Sequence, residues 1–137
     1  MSVVVDASIA LAWLFDDEVT PEIDQLFVSL ALRSGYVPEH WRLEVASGFR
    51  IAVRRGRAKA EYRSEALAQL AKLPIEIDSE TNTHAWHATL RLADRRGLTP
   101  YDAAYLELAQ RRRLPLATLD RDLANAAEAE GVTVQGR

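Results

Sequence analysis

The 137-residue sequence lacks cysteine and has no long hydrophobic run. The absence of cysteine excludes a disulfide scaffold, a thiolate zinc site and a cysteine nucleophile, and it suits a reducing compartment. No apolar run approaches the roughly 20 residues that a membrane-spanning helix needs. Neither sign of charge dominates, because 17 basic residues stand against 20 acidic ones. Electrostatic binding to nucleic acid would therefore have to come from local basic patches.

The apolar N-terminus, residues 1–15, could pass for a short targeting segment. It has no basic region at its start, it contains Asp6, and it runs into the acids 16–18 instead of a small-residue cleavage site. We therefore expect a soluble protein without a membrane segment, and a cytoplasmic location by default.

The residues that are present predict one α/β domain spanning residues 1–137. A hydrophobic fraction of 48% over this length is enough to build one core. Short β-branched or alternating runs predict strands at 3–5, 36–37, 75–77, 114–118 and 132–134. Helical spacing, caps and glycine or proline stops predict helices at 7–15, 20–34, 40–55, 58–73, 81–96, 99–113 and 120–130. Strands that alternate with helices indicate a parallel sheet covered by helices on both faces.

Four acidic residues stand out by their positions in this pattern. Asp6 follows the first predicted strand, and Asp120 follows the strand that ends near Thr118. The carboxyl ends of parallel strands meet at one edge of the sheet, where function gathers. Glu44 and Asp102 lie on predicted helices that could flank the same edge.

Each of these acids also has a purely structural interpretation. Asp6 and Asp120 could cap the helices that follow them. Asp102 could complete a capping box with Thr99, three residues earlier. Glu44 could be an ordinary solvated helix residue.

Two features favour a functional site over these alternatives. Glu44 lies in the apolar part of its helix, and Asp102 precedes the apolar turn 103–106, which would take its carboxylate towards the interior. A buried carboxylate is costly unless it is paired or binds a cation, and Asp6 has no basic neighbour in sequence. Clustered carboxylates without cysteine or an organised histidine set predict Mg²⁺ or Mn²⁺ rather than zinc.

Four segments, in this order and at this spacing, carry a family resemblance over essentially the whole chain. They are VVVDAS at 3–8, RLEVA at 42–46, TPYDAAYLELA at 99–109 and LATLDRDL at 116–123, followed by two alanines at 126–127. The sequence resembles the PIN-domain ribonucleases, and in length it is similar to the VapC toxins of bacterial and archaeal toxin–antitoxin pairs.

The resemblance implies a three-layer α/β/α PIN-like fold with a short, mainly parallel central sheet. It also implies a Mg²⁺- or Mn²⁺-dependent endoribonuclease that forms a homodimer and is neutralised by a VapB-like antitoxin. It implies four catalytic, metal-binding acids: Asp6, Glu44, Asp102 and Asp120. It also implies that the hydroxyls of Ser8 and Thr118 lie beside the metal site. Asp122 is close enough to share or take the role of Asp120. Many relatives carry a glycine before the last motif, where this sequence has Arg111–Arg113.

Phosphodiester hydrolysis needs a strong nucleophile and shielding of the charge that develops on phosphorus. Mg²⁺ held by carboxylates would supply both. Asp6 and Asp102 are the expected direct ligands, whereas Glu44 and Asp120 would bind a second ion or orient the attacking water. The family's usual products, a 5′-phosphate and a 3′-hydroxyl, imply neither a covalent intermediate nor a histidine base. One metal ion and two both remain open.

The histidines and tyrosines have weaker functional interpretations. His84 and His87 have a spacing that can ligate a metal, but they have no third ligand nearby. His40 is interpreted as a helix-start residue rather than a base. Tyr101 and Tyr105 could stack on bases, although packing in a helical core is favoured.

Two basic groups, 54–59 and 111–113, could grip phosphates or form solvated charged faces, and the sequence does not separate the two. The first three helices are rich in aromatic residues for so small a chain: Trp13, Phe15, Phe27, Trp41 and Phe49. We expect that one core cannot hold all of them, so that some line a dimer or antitoxin interface.

Two other functions compete with the ribonuclease. A Mg²⁺-dependent phosphatase or phosphotransfer domain would normally need a lysine at a strand end, but Lys59 and Lys72, the only lysines, lie on a predicted helix. A non-catalytic partner-binding PIN module would have lost at least one of the four acids, and none is missing.

Overall fold

The computed structural model describes residues 2–137 and has a five-stranded sheet at its centre. The strands are β1 (Val3–Val5), β2 (Gly35–Val37), β3 (Ile75–Ile77), β4 (Leu116–Ala117) and β5 (Val134–Gln135). Their order across the sheet is β3-β2-β1-β4-β5, and every neighbouring pair is parallel. The predicted parallel sheet is therefore confirmed, and its strands are shorter than average.

Helices fill the connections between the strands and complete a three-layer α/β/α fold, as predicted. They are α1 (Ala7–Leu14), α2 (Pro21–Leu30), α3 (Trp41–Arg54), α4 (Ala60–Ala71), α5 (Thr81–His84), α6 (Leu90–Arg96), α7 (Pro100–Arg112) and α8 (Arg121–Ala129). The predicted helix 81–96 is interrupted by a π-helical turn, Ala85–Thr89, between α5 and α6. No helix of residues 2–137 is long and apolar enough to cross a membrane.

The central strand β1 positions the first acid. Its three valines are fully buried between β2 and β4, as expected for a strand covered on both faces. Val5 pairs with Ala117 of β4, and the backbone N–H of Asp6 donates to the Ala117 carbonyl at 3.0 Å. This register places Asp6 beside Thr118 at the carboxyl edge of the sheet.

The aromatic residues of the first three helices are packed inside the protein. Phe15, Phe27, Trp41 and Phe49 are buried, so the expectation that one core cannot hold them is wrong for these four, whereas Trp13 is only half-buried. Pairwise ring packing explains how one core holds them. The half-buried ring of Trp13 stacks on Phe27 at 4.4 Å between centroids, and Phe15 packs on Phe49 at 5.0 Å.

Helix α7 ends in an unusual way. Arg113 has a φ of 57°, the left-handed conformation that helix ends usually give to glycine. The N–H groups of Arg113 and Leu114 both bond to the Ala109 carbonyl, which closes the helix. An arginine therefore occupies a backbone position at which a side chain is strained.

Candidate active site

Asp6 is the most buried acid of the predicted set, with 5% of its surface exposed. Its Oδ2 accepts hydrogen bonds from Ser8 Oγ and Thr118 Oγ1, both at 2.7 Å. Asp6 occupies the N-cap position of α1, but its side chain makes no capping hydrogen bond. The capping interpretation of Asp6 is therefore wrong, and the two hydroxyls lie beside it as expected.

Thr118 connects Asp6 to the start of α8. Its Oγ1 accepts the backbone N–H of Asp120 at 3.0 Å, and Asp120 Oδ1 in turn accepts the Leu123 N–H at 3.0 Å. Asp120 is therefore the N-cap residue of α8, and its structural interpretation is confirmed. Asp122 is an exposed acid in the first turn of α8.

Asp102 lies half-buried in the first turn of α7. Its backbone N–H donates to Thr99 Oγ1 at 3.2 Å, so Thr99 caps α7 in the predicted way. Burial and then the negative charges of Asp120 and Asp6 raise the pKa of the Asp102 carboxyl.

Glu44 lies in the first turn of α3 with its side chain 32% exposed. Its Oε1 accepts the Tyr105 hydroxyl at 2.6 Å and lies 3.4 Å from His40 Nε2. Glu44 is therefore not a free solvated residue. Tyr105 is buried, as predicted, and burial followed by the negative charge of Asp6 and the hydrogen bond to Glu44 raises its pKa, so the phenol stays protonated.

The electrostatics of Asp6 join the four acids into one cluster. Burial raises the Asp6 pKa most, the hydroxyls of Ser8 and Thr118 oppose this effect, and the charges of Glu44 and Asp120 raise the pKa further. Since Asp102 also senses the charges on Asp6 and Asp120, the structure brings all four predicted acids to one edge of the sheet. Like charges held together in this way favour a cation between them.

The donor chemistry of the cluster fits a hard divalent cation. All four side chains offer carboxylate oxygens, and no basic side chain of residues 2–137 forms an ion pair with Asp6, Asp102 or Asp120. Within the same described range, no three His, Asp or Glu side chains are gathered closely enough to hold an ion. The four carboxylates therefore sense one another's charges at one edge of the sheet without forming a closed ligand set.

Two arginines of the basic group 111–113 are held in contacts with other side chains. Arg111 pairs with Asp78 at 2.6 Å and with Glu107 at 2.8 Å, and the Arg112 guanidinium lies over the Tyr36 ring at 4.3 Å. Neither is therefore a free phosphate contact.

The first basic group lies far from the acids. Arg57 pairs with Asp17 at 3.1 Å, whereas Arg54, Arg55 and Lys59 are exposed. Because α3 carries Glu44 near its start and Arg54 at its end, this group lies about 15 Å along the helix from Glu44.

Tyr101 and the three histidines differ in part from their predicted environments. Tyr101 is 64% exposed, so its predicted core packing is wrong. His40 lies at the start of α3 as predicted, but its contacts with Glu44 and Tyr101 were not foreseen. His84 lies 3.8 Å from Glu80 Oε1, and it shares no metal-binding group with His87 within the described residues.

The fold and the acidic cluster together define a class. A parallel α/β/α domain with carboxylates at the carboxyl edge of β1 and β4 is the architecture that the sequence resemblance implied. The PIN domain family model matches residues 3–129, and the chain belongs to the PIN-domain family.

Individual relatives narrow this assignment. The chain is 33% identical over 124 residues to Ribonuclease VapC3 of Pyrobaculum aerophilum, covering 90% of this chain and 93% of that protein. The predicted similarity to VapC-type PIN ribonucleases is thereby confirmed.

Solved structures show the same fold. PAE2754 from Pyrobaculum aerophilum superposes with a TM-score of 0.71 at 25% identity over 98% of this chain and 92% of that one. FitAcB from Neisseria gonorrhoeae has a TM-score of 0.67 at 15% identity, covering 98% and 96% of the two chains. VapBC2 from Rickettsia felis, bound to a DNA fragment from its promoter, has a TM-score of 0.66 at 13% identity over 98% and 97%. The last two similarities concern the fold alone.

Proposed function

We propose that this protein is a Mg²⁺- or Mn²⁺-dependent endoribonuclease and the toxin of a VapBC-type toxin–antitoxin pair. One observation carries the proposal: a buried Asp6 without a basic partner shares its edge of the sheet with three further carboxylates. The similarity to Ribonuclease VapC3 supports RNA as the substrate.

The proposed roles follow from the positions of the four acids. Asp6 and Asp102 are direct ligands of the ion, and Glu44 and Asp120 bind a second ion or orient the attacking water. The ion, when bound, lowers the pKa of water and offsets charge on the phosphate. Ser8 and Thr118 hold the Asp6 carboxylate by Oδ2 and so fix its direction. Asp122 remains an alternative to Asp120.

The proposal extends to partners and organisation. Residues 1–137 form a single PIN domain that acts on RNA in the cytoplasm and is neutralised by a VapB-like antitoxin. A homodimer is supported by exposed apolar side chains beside the site. Leu43 and Tyr101 line one cavity next to His40, and Trp86, next to the cavity residue Ala85, is 85% exposed.

No observation favours either of the two competing functions, a phosphatase or phosphotransfer domain and a non-catalytic PIN module. Lys59 and Lys72 flank α4 at its two ends, so neither lies at the carboxyl end of a strand, where a phosphotransfer lysine is expected. All four acids are present and clustered, which argues against a non-catalytic module.

Cleavage of labelled RNA by the purified protein tests the proposal. We expect cleavage with Mn²⁺ or Mg²⁺, none in excess chelator, and recovery when the metal is restored. Asp24→Asn, which changes an exposed first-turn acid of α2, serves as the matched control and should cleave like the wild type. Full activity in excess chelator would overturn the metal dependence, and phosphomonoester hydrolysis without RNA cleavage would favour the phosphatase.

A further inference from the structure

The Tyr105 side chain joins two of the helices that border the acidic cluster. Tyr105 lies one turn after Asp102 on α7, is fully buried, and donates its hydroxyl to Glu44 Oε1 on α3 at 2.6 Å. A buried phenol usually finds a hydrogen-bond partner. Here the partner is a carboxylate of the proposed site.

His40 makes a second contact with the same oxygen. Its Nε2 lies 3.4 Å from Glu44 Oε1 and 3.0 Å from the Tyr101 carbonyl oxygen. Its ring meets those of Tyr101 and Tyr105 edge-on, with centroids 5.6 and 5.5 Å apart. The imidazole therefore fills the space between the two tyrosines and the carboxylate.

Both contacts are to Oε1 and leave the other oxygen of Glu44 available. Within residues 2–137, no hydrogen bond to Oε2 is formed. A glutamate at this level of exposure would otherwise sample several rotamers. The tethered oxygen fixes the direction of the carboxylate, and the other oxygen stays available to a metal ion or to a water molecule.

We infer that Tyr105 is a positioning residue that holds Glu44 in the rotamer needed to serve a metal ion in this site. The inference rests on the proposed function, because it requires Glu44 to act on an ion or on the attacking water. Hydrogen-bond partners behind a metal ligand typically change metal affinity by about 10- to 100-fold. The phenol thereby couples α3 to α7.

Tyr105→Phe removes the hydroxyl and keeps the ring, so Mn²⁺ binding to the RNA-free protein is the direct test. We expect the Mn²⁺ dissociation constant, measured by calorimetry, to rise about tenfold. The Mn²⁺ concentration for half-maximal RNA cleavage should rise in parallel, with the KM for RNA unchanged. Tyr62→Phe is the matched control, because the Tyr62 phenol donates to the Leu14 carbonyl at the other end of α1. It should bind Mn²⁺ like the wild type.

A double-mutant cycle decides whether Tyr105 acts through Glu44. If it does, adding Tyr105→Phe to Glu44→Gln shifts the Mn²⁺ dissociation constant little beyond the effect of Glu44→Gln alone. A full tenfold shift in that background would overturn the inference. Should Tyr105→Phe fail to fold, Glu44→Asp keeps the charge but withdraws the carboxylate from the Tyr105 hydroxyl, and an unchanged Mn²⁺ dissociation constant in that variant would also overturn the inference.

The outcomes for the inference and for the proposed function differ. A wild-type protein that binds no Mn²⁺ overturns both. A wild-type protein that binds Mn²⁺ and cleaves RNA, with Tyr105→Phe lowering only the melting temperature, leaves the ribonuclease intact and gives Tyr105 a purely structural role.

Discussion

At the scale of single residues, the acids of the cluster repel one another, and they differ in whether they cap a helix. Asp120 caps α8 and also raises the pKa of Asp6 and Asp102 through its charge. Asp6 itself caps nothing. Because the pKa values of Asp6 and Asp102 are raised in the folded state, their ionised carboxylates lower the free energy of unfolding at neutral pH. These two acids therefore do not stabilise the fold.

This cost leads to a prediction for Asp6→Asn and Asp102→Asn. Each variant should lose RNA cleavage while its metal-free melting temperature stays unchanged or rises, because a repelling charge is removed. Asparagine retains an oxygen that can accept from Ser8 and Thr118. Thermal unfolding without metal, paired with a cleavage assay, measures both effects. If Asp102 only stabilised the dipole of α7, its variant would instead lose roughly 0.3–1 kcal/mol and keep its activity.

At the scale of secondary-structure elements, helix ends explain much of the local stability. Thr20, Thr99 and Asp120 cap α2, α7 and α8 through their side chains. Each of these caps joins residues three positions apart, so the local sequence is enough to indicate it. The exceptional end is that of α7, where Arg113 takes the left-handed conformation.

Arg113→Gly should therefore stabilise the protein by about 1 kcal/mol, because glycine adopts a positive φ without steric strain. Gly97→Ala is the reciprocal variant. Gly97 ends α6 with a φ of 66° and has open space where a Cβ would lie, so backbone strain alone should destabilise this variant by a similar amount. Urea unfolding of both variants measures the difference. Equal stability of Arg113→Gly and the wild type would contradict the interpretation.

Glu130 connects three helices and should make stability depend on pH. Hydrogen bonds from Arg95, then Arg96 and Gln110, lower the Glu130 pKa to about 2 from its ordinary 4.5. The folded state therefore binds this proton less readily than the unfolded state, and the stabilisation present above pH 4.5 is lost as the pH falls towards 2.

We expect Glu130→Gln to show a weaker loss of unfolding free energy than the wild type between pH 4.5 and about 2. Glu128→Gln is the control, because the ion pair of Glu128 with Arg137 is solvent-exposed and contributes little. Parallel curves of unfolding free energy against pH for Glu130→Gln and the wild type would show that the hydrogen bonds to Glu130 do not stabilise the fold.

At the scale of the whole molecule, the structure leaves several large apolar side chains exposed. Four of the five large aromatic residues predicted in the first three helices are buried, so these four are not available to a dimer interface. Leu43 and Tyr101 line one cavity together with His40, and Trp86, which follows the cavity residue Ala85, is 85% exposed. A second copy docked there would lie next to the acidic cluster.

Trp86→Asp should therefore convert a dimeric wild-type protein to a monomer, because it places a charge in an apolar interface. Leu32→Asp is the matched control: Leu32 is 93% exposed but lies after α2, and its change should leave the oligomeric state unchanged. Light scattering coupled to size-exclusion chromatography distinguishes the species. A Trp86→Asp protein that remains dimeric would exclude this surface.

The sequence by itself determined the strand and helix pattern, the caps and the four acids at predicted strand ends and helix starts. These features depend on residues a few positions apart, so local spacing reveals them. The helix end at Leu30 and the π-helical turn Ala85–Thr89 were missed, because neither is marked by a proline or glycine in the sequence.

Only the tertiary structure decided which side chains meet across the chain. Tyr105 reaches Glu44 across 61 positions, and Arg111 reaches Asp78 across 33. No local pattern encodes such distances, because a hydrogen bond between two helices depends on the packing of both against the sheet. The same packing buries four of the five aromatic rings that the sequence suggested for an interface, and it leaves Tyr101 at the surface.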